Sequence, residues 1–179
     1  MNWLLVGLPL AVGYLIWFGY LLIKKKYNKA TLFFALAHIP YLLVNLVAPF
    51  RGLLDPDYAG YSFGLIVLPN GPIVTLVVGI IVIFSLLLAS RALMGKMKGW
   101  WLVAFVFDLL LCVLVAIPIS YDMLTHLSDF RIELGEYLTI KGIWTALIIF
   151  FLFTFPTIFA CLYAGKQALS HLNAARKTE

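Results

Sequence analysis

The chain has 179 residues, of which 64% are hydrophobic and 12% are charged, with a formal net charge of +5. Soluble domains are about 45–50% apolar and about 25% charged, so this composition excludes a water-soluble globular domain and a disordered chain. A disulfide-rich scaffold is also excluded, because the only cysteines are Cys112 and Cys161. The composition therefore predicts an integral, multi-pass membrane protein.

Five apolar segments are long enough to cross a bilayer as helices, which requires about 20 residues each. In chain order they are Trp3–Ile23, Thr31–Phe50, Pro72–Ser90, Trp100–Ile119 and Ile143–Ala164. All five are apolar on every face, whereas the strands of a membrane barrel alternate between apolar and polar residues. The predicted fold is all-α, a single domain (1–179) of five transmembrane helices. It divides into an N-terminal helix and basic turn (1–30), a core of two helical hairpins (31–164) and a cytoplasmic tail (165–179).

Lysine and arginine residues are concentrated on one side of this predicted bundle. Ten of the thirteen fall in one set of connections, and only Arg51, Arg131 and Lys141 fall in the opposite set. The positive-inside rule therefore predicts that the N-terminus is outside and the C-terminus is cytoplasmic. The net positive charge follows from this topology and favours anionic membrane lipid as a partner. It does not indicate a nucleic-acid partner.

Both predicted external loops contain segments that favour short strands. In Arg51–Gly71, aromatic and β-branched residues at Tyr61–Leu68 precede a Pro-Asn-Gly turn signal. In Ser120–Gly142, the segment Phe130–Ile140 partly alternates between apolar and polar residues. These patterns predict either a small external β-cap over the bundle or two irregular loops.

Motifs for cofactors and catalysis are sparse. The sequence contains no CxxC, HExxH or Walker loop, so no cofactor is expected and the catalytic residues are unknown. A weak candidate for a divalent metal site is formed by Asp122, His126 and Asp129, with a solvated acidic loop as the alternative. Cys112 lies near the middle of its span and Cys161 near the inner end of its own. The two thiols are therefore expected to lie too far apart for a disulfide.

Two ionisable residues lie inside the predicted spans, His38 in the second and Asp108 in the fourth. An aspartate at the centre of a membrane helix costs about 2.5–3.5 kcal/mol on the insertion scale, so buried ionisable residues are functional candidates. Both lie about 10–12 Å from the inner end of their helices at a rise of about 1.5 Å per residue. The same layer is predicted to contain Tyr14, Thr154 and Thr157, and Tyr41 and Asn45 extend a polar stripe from His38 along its own helix.

This polar layer has two interpretations. The favoured one is an intramembrane ligand pocket with His38 and Asp108 as polar anchors. Its predicted walls are Tyr14, Trp17, Phe107 and Pro156. Trp17 is expected to pack between helices. The alternative is an interhelical hydrogen bond that joins the second and fourth helices and binds nothing.

Several of these features resemble the EXPERA superfamily, the emopamil-binding and sterol-isomerase-like membrane proteins. The similar features are His38-Ile39-Pro40, Asp108, Pro156, a basic tail, and the arrangement of the second to fifth spans. The resemblance implies a core of four helices preceded by one added helix, and an apolar, sterol-like ligand. The isomerases of that group move protons with membrane carboxylates, whereas Leu42 follows His38 by one turn where an acid is expected. The resemblance therefore implies binding of an apolar ligand rather than its isomerisation.

The leading hypothesis from the sequence is a membrane protein that binds a lipid or another hydrophobic small molecule. The first alternative is a proton-linked transporter or channel that uses His38 and Asp108. The second is a membrane enzyme in which His38 acts as acid or base and Asp108 orients it. The third is a structural subunit, whose partner is a second copy of the chain or another subunit of a complex.

Overall fold

The computed structural model of the protein describes residues 4–24, 27–41, 60–63, 66–69, 72–125, 131–133 and 139–176. Helices occupy most of these residues: α1 Leu4–Lys24, α2 Lys29–Ala37, α3 Pro72–Leu93, α4 Trp101–Leu111, α5 Ile117–Thr125, α6 Ile143–Ile149 and α7 Phe155–Arg176. A π-helical turn, Cys112–Ala116, joins α4 to α5, and a second one, Phe150–Thr154, joins α6 to α7. The chain therefore contains five continuous helical segments in the part that the structure describes.

Helix α2 has a clear start and an early end. It begins after Asn28, whose side chain accepts a hydrogen bond from the backbone N–H of Thr31 at 2.8 Å. It ends at His38, whose N–H donates to the carbonyl of Ala35 at 3.3 Å, one residue short of the α-helical partner. Pro40 explains the break, because proline has no N–H to donate and disfavours helical conformation in the preceding turn. Helical conformation resumes over 39–41.

Proline also explains the two π-helical turns. The first ends at Ile117, whose N–H donates five residues back to the carbonyl of Cys112, and Pro118 follows. The second ends at Phe155, whose N–H donates to the carbonyl of Phe150, and Pro156 follows. A proline ring clashes with the carbonyl four residues earlier, and local widening of the helix removes that clash. Each long helix therefore continues past its proline instead of ending there.

The turn between α3 and α4 is short and depends on glycine. Gly95 and Gly99 have φ angles of 68° and 80°, which L-residues with a side chain rarely adopt. The guanidinium of Arg91 lies 4.3 Å from the centroid of the Trp100 ring, a cation–π contact that ties the end of α3 to the start of α4.

Small residues bring α4 and α7 close together. Ala104 of α4 and three alanines of α7, spaced four residues apart, are buried at this contact: Ala160, Ala164 and Ala168. A Cβ atom at Gly165 would lie 3.0 Å from the Phe105 ring, so only glycine fits there without displacing the ring. Helix α2 packs against both α3 and α7, and α1 packs against α3.

Two buried clusters form the core. The larger one joins α2, α3, α4 and α7 around Phe34, Leu88, Trp101 and the alanines of α7. The smaller one joins α1, α2 and α3 around Phe18, Leu21, Ala35, Ala89 and Leu93. The site described below lies at the larger cluster, because α2, α4 and α7 meet there.

Two short antiparallel strand pairs occur within the segments that the sequence predicts as external loops. Strand β1, Gly60–Phe63, pairs with β2, Ile66–Pro69, with Phe63 opposite Ile66. Strand β3, Arg131–Glu133, pairs with β4, Thr139–Lys141. They form two separate two-stranded sheets.

The helical fold class is confirmed. Two helices, Trp101–Tyr121 and Ile143–Arg176, are long and apolar enough to cross a membrane, and Val12–Lys24 and Ile80–Leu93 are shorter apolar helices. The helix of the fifth predicted span, Ile143–Ala164, continues beyond that span to Arg176. Residues after Gly165 are mainly good helix formers such as alanine, leucine, glutamine and lysine, and none of them is a proline.

Candidate functional site

The imidazole of His38 and the carboxyl of Asp108 meet in the core. His38 lies at the end of α2 and Asp108 in the middle of α4, and His38 Nε2 is 3.1 Å from Asp108 Oδ1. The two residues are 2% and 1% exposed. The similar depth predicted from the sequence thus corresponds to a direct contact between α2 and α4.

The other ring nitrogen of His38 determines how many hydrogens the pair holds. His38 Nδ1 lies 2.9 Å from the carbonyl oxygen of Phe34, four residues back on α2. A carbonyl oxygen only accepts hydrogen bonds, so Nδ1 carries a hydrogen. Because the backbone N–H of His38 donates to Ala35, this ring N–H provides the Phe34 carbonyl with a donor.

One further hydrogen lies between Nε2 and Oδ1. It belongs to Nε2 if the carboxyl is ionised, and to the carboxyl if the imidazole is neutral. In both states the charges of His38 and Asp108 sum to zero. A neutral, hydrogen-bonded pair is the form in which an apolar interior tolerates these two groups.

Aromatic rings enclose the imidazole. The Phe34 ring lies edge-on to it at a centroid distance of 4.8 Å, and the Phe107 ring is nearly parallel to it at 6.4 Å. Phe107 in turn stacks on Phe84 of α3 at 5.5 Å. Phe107, predicted as a wall residue, therefore links the histidine to α3.

One oxygen of the pair has no hydrogen-bond partner among the residues that the structure describes. Asp108 Oδ2 is fully buried and unpaired, in contrast to Oδ1. An unsatisfied buried acceptor typically costs about 1–3 kcal/mol. This oxygen is the polar atom of the layer that remains available to a donor from a ligand or a water molecule.

A second set of hydrogen bonds joins α7 to its neighbours. The hydroxyl of Tyr41 is hydrogen-bonded to the hydroxyl of Thr157, and Thr157 Oγ1 donates to the carbonyl of Phe153 at 2.6 Å. Ser120 Oγ donates to Thr154 Oγ1 at 3.2 Å. Tyr41, Thr154 and Thr157 therefore lie inside the bundle, as predicted, and half-buried Pro156 lies between the two threonines.

Two predicted residues of α1 lie elsewhere. The hydroxyl of Tyr14 donates to the carbonyl of Leu86 at 3.4 Å, and its ring packs against the smaller cluster. The expectation that Trp17 packs between helices is wrong, because this residue is 44% exposed and stacks on Tyr20 at 5.6 Å. Helix α1 is apolar on every face, so its sequence does not determine which side turns inward.

Some predicted residues fall outside the part of the chain that the structure describes. These are Asn45, His126 and Asp129, and nothing is known of the Asp122 side chain. Within the described ranges, no group of three histidine, cysteine or acidic residues is arranged to hold a metal ion. The weak metal candidate of the external loop therefore stays a prediction.

The expectation that the two cysteines lie far apart is wrong. Cys112 and Cys161 are both buried free cysteines, and their thiols lie beside one another. Cys112 Sγ also lies 3.6 Å from the carbonyl of Thr157. The error comes from measuring the depth of Cys161 from Ala164 as the inner end of its span. Because Gly165 packs on Phe105, Cys161 lies one turn further into the bundle, beside the middle of α4.

A groove of about 900 Å³ runs between α4 and α7. It is lined by Leu102, Phe105, Cys161, Leu162, Gly165, Lys166, Ala168, Leu169, Ser170, Leu172, Asn173 and Ala174. The residues predicted to bind a ligand do not include any of these. The sequence nevertheless contained a signal for close packing at this position. Gly165 and the alanines spaced four residues apart on α7 favour close contact with another helix. Larger side chains beside this contact line the groove.

Searches against protein-family models, curated proteins and solved structures give no match to this chain. The resemblance to the EXPERA superfamily therefore stays a prediction, supported by the sequence features alone.

Proposed function

We propose that the chain is a multi-pass membrane protein that binds a lipid- or sterol-like ligand in the groove between α4 and α7. The observation that carries this proposal is the groove itself. Its volume is within the range of about 300–1,000 Å³ that is usual for ligand sites, and large apolar side chains with few polar groups line it.

The outer surface of the helices supports the membrane location. Large apolar side chains are exposed on every long helical segment, including Ile16 of α1, Phe33 of α2, Ile83 of α3, Leu114 between α4 and α5, and Leu162 of α7. Soluble monomers rarely expose contiguous apolar surface on this scale. A bilayer removes this surface from water without the need for a partner protein.

The proposed topology has five crossings, an external N-terminus and a cytoplasmic C-terminus. It is supported by the distribution of cations, since the α3–α4 turn carries Lys96 and Lys98 and the second half of α7 carries Lys166 and Arg176. The test is labelling with a membrane-impermeant maleimide of Lys98→Cys and Asp57→Cys, each in a variant without native cysteines. In intact cells Asp57→Cys should react and Lys98→Cys should react only after permeabilisation. The reverse pattern would contradict the orientation.

The His38–Asp108 pair has a supporting role in this proposal. It is enclosed by Phe34 and Phe107 and joins α2 to α4. Helix α4 forms one wall of the groove and packs against α7, which forms the other wall. We therefore assign the binding role to the groove and the positioning of α4 to the pair.

Ligand binding is tested by thermal unfolding of the delipidated protein in detergent with phosphatidylcholine, phosphatidylglycerol and a sterol. A ligand at 100 times its Kd stabilises the folded state by about 2.7 kcal/mol, which is a measurable increase in Tm. Leu169→Trp, at a position that lines the groove and is 63% exposed, should remove this increase. Leu110→Trp, at a 53% exposed position outside the groove, should retain it. Absence of stabilisation by all three ligands would refute the proposal.

A further inference from the structure

The character of the groove changes along α7. Near its Phe105 end, the α7 side chain that lines it is Leu162. Further along α7, Lys166, Ser170 and Asn173 line it, at the spacing of four and three residues that places side chains on one face of a helix. The polar side chains of the α7 lining therefore begin at Lys166, next to the Gly165–Phe105 contact, and alternate from there with Ala168, Leu169, Leu172 and Ala174.

The groove is positively charged at Lys166 and not neutralised there. Lys166 is exposed and forms no ion pair with any residue that the structure describes. The residues that line the groove include no aspartate or glutamate. Hydrogen-bond donors are also present there, since a serine hydroxyl and an asparagine amide lie on the same face as the ammonium group.

We propose that the groove takes an anionic glycerophospholipid, with an acyl chain along Phe105 and Leu162 and the phosphate at Lys166. Ser170 and Asn173 would donate further hydrogen bonds to the phosphate oxygens. This inference rests on the proposed lipid-binding function and names the class of ligand. A sterol has one neutral hydroxyl group and would leave the ammonium group of Lys166 without a counter-charge.

The direction of the groove is consistent with this ligand. In the proposed topology Lys166 faces the cytoplasmic leaflet, where anionic lipids attract basic residues. Leu162 and Phe105 then lie deeper in the bilayer, at the level of the acyl chains. The headgroup and one acyl chain thus each meet residues of matching chemistry.

The experiment compares two lipids with the same acyl chains, phosphatidylglycerol and phosphatidylcholine, by native mass spectrometry of the full chain in detergent. One lysine near the membrane surface contributes about 1 kcal/mol to binding of anionic lipid, or about fivefold in affinity. We expect phosphatidylglycerol to bind about fivefold more tightly than phosphatidylcholine. Lys166→Gln should abolish this preference and Lys166→Arg should retain it. Lys98→Gln, an exposed lysine outside the groove, is the matched control and should leave the preference unchanged. Glycerol phosphate, which has the headgroup chemistry without acyl chains, should not compete.

The outcomes separate this inference from the proposed function. If both lipids bind equally well and Leu169→Trp abolishes their binding, the anionic preference is overturned and the proposed lipid-binding groove is retained. An equal loss of preference in Lys166→Gln and Lys98→Gln would also overturn it, because the effect would then come from the general surface charge. Competition by glycerol phosphate would overturn the assignment to a lipid. Failure of both lipids to bind would refute the proposed function as well.

Discussion

The strongest prediction concerns the energetics of the His38–Asp108 pair. His38→Leu removes both the Nδ1–H hydrogen bond to Phe34 and the contact with Asp108. It leaves a buried carboxyl group with neither oxygen paired, because Oδ2 already has no partner among the described residues. Asp108→Leu leaves a neutral imidazole that still donates from Nδ1 to Phe34 and lacks a partner only at Nε2.

The two single substitutions should therefore differ in magnitude. Breaking a buried pair so that a charge is left alone costs about 3–5 kcal/mol, which we expect for His38→Leu. A single unsatisfied neutral group costs about 1–3 kcal/mol, which we expect for Asp108→Leu. The double variant His38→Leu/Asp108→Leu contains no stranded carboxyl group, so it should be more stable than His38→Leu alone, by about 1–3 kcal/mol.

The free energy of unfolding is measured by titration with sodium dodecyl sulfate in mixed micelles, with tryptophan fluorescence as the signal. Asp108→Asn is the control, since its amide can donate to Nε2, and it should remain within about 1 kcal/mol of the native chain. An ordinary interhelical hydrogen bond in a membrane contributes only about 0.6 kcal/mol. Additive effects of the two leucine substitutions, or a double variant less stable than His38→Leu, would refute the paired arrangement.

Three further predictions concern the packing of α4 and α7. Gly165→Ala should destabilise the protein by about 1–3 kcal/mol, since its Cβ would lie 3.0 Å from the Phe105 ring. The loss of stability on Gly165→Ala should be smaller in a Phe105→Leu background. An equal loss in the native and Phe105→Leu backgrounds would contradict the contact. Oxidation with copper phenanthroline should form a disulfide between Cys112 and Cys161 within one chain. The disulfide is detected because the denatured protein no longer reacts with a maleimide polymer. Cys112→Ser should preserve the reaction of Cys161, and full thiol reactivity of the native chain after oxidation would contradict the proximity of the two thiols. Tyr41→Phe should reduce the free energy of unfolding by about 1 kcal/mol through loss of the hydrogen bond to Thr157, and no change in the same detergent titration would show that this bond contributes nothing.

The starts of the helices and the depth of the polar residues could be predicted from the sequence. Helix α3 begins at Pro72 and α6 at Ile143, as the apolar segments predict. Pro72 is a favourable first residue of a helix, because its missing N–H would be unpaired there in any case. The similar depth of His38 and Asp108 followed from counting residues along two helices, and this count is reliable because the helical rise per residue is constant.

Helix rotation and the register between helices could not be predicted. Trp17 lies on an exposed face because α1 is apolar all round, and an apolar helix carries no sequence signal for its inward side. The distance between Cys112 and Cys161 depends on the register between α4 and α7, which the Gly165–Phe105 contact sets. The groove depends on the Gly165–Phe105 contact, a pairing between two helices that one sequence does not specify.

Three polar side chains of the core bond backbone carbonyls of their own helices, each within two residues of a proline. The ring of His38 donates to the Phe34 carbonyl just before Pro40, and Ser120 Oγ donates to the Ala116 carbonyl across Pro118. Thr157 Oγ1 donates to the Phe153 carbonyl across Pro156. In each case a polar side chain bonds the carbonyl four residues earlier, in the turn where a proline interrupts the backbone hydrogen bonds.

These side chains therefore have hydrogen-bond partners within their own helices whether or not a ligand binds. This argument explains why most of the polar residues picked out by the sequence lie in closed, packed positions rather than in the groove. Asp108 is the exception. Its Oδ1 contacts His38, and its Oδ2 has no hydrogen-bond partner among the described residues. Among the described residues, a ligand-binding role for the layer thus reduces to Asp108 Oδ2, whereas the groove offers an apolar wall, the ammonium group of Lys166 and two hydrogen-bond donors on one helix face. For this reason the groove, and not the layer, is where binding should be sought first.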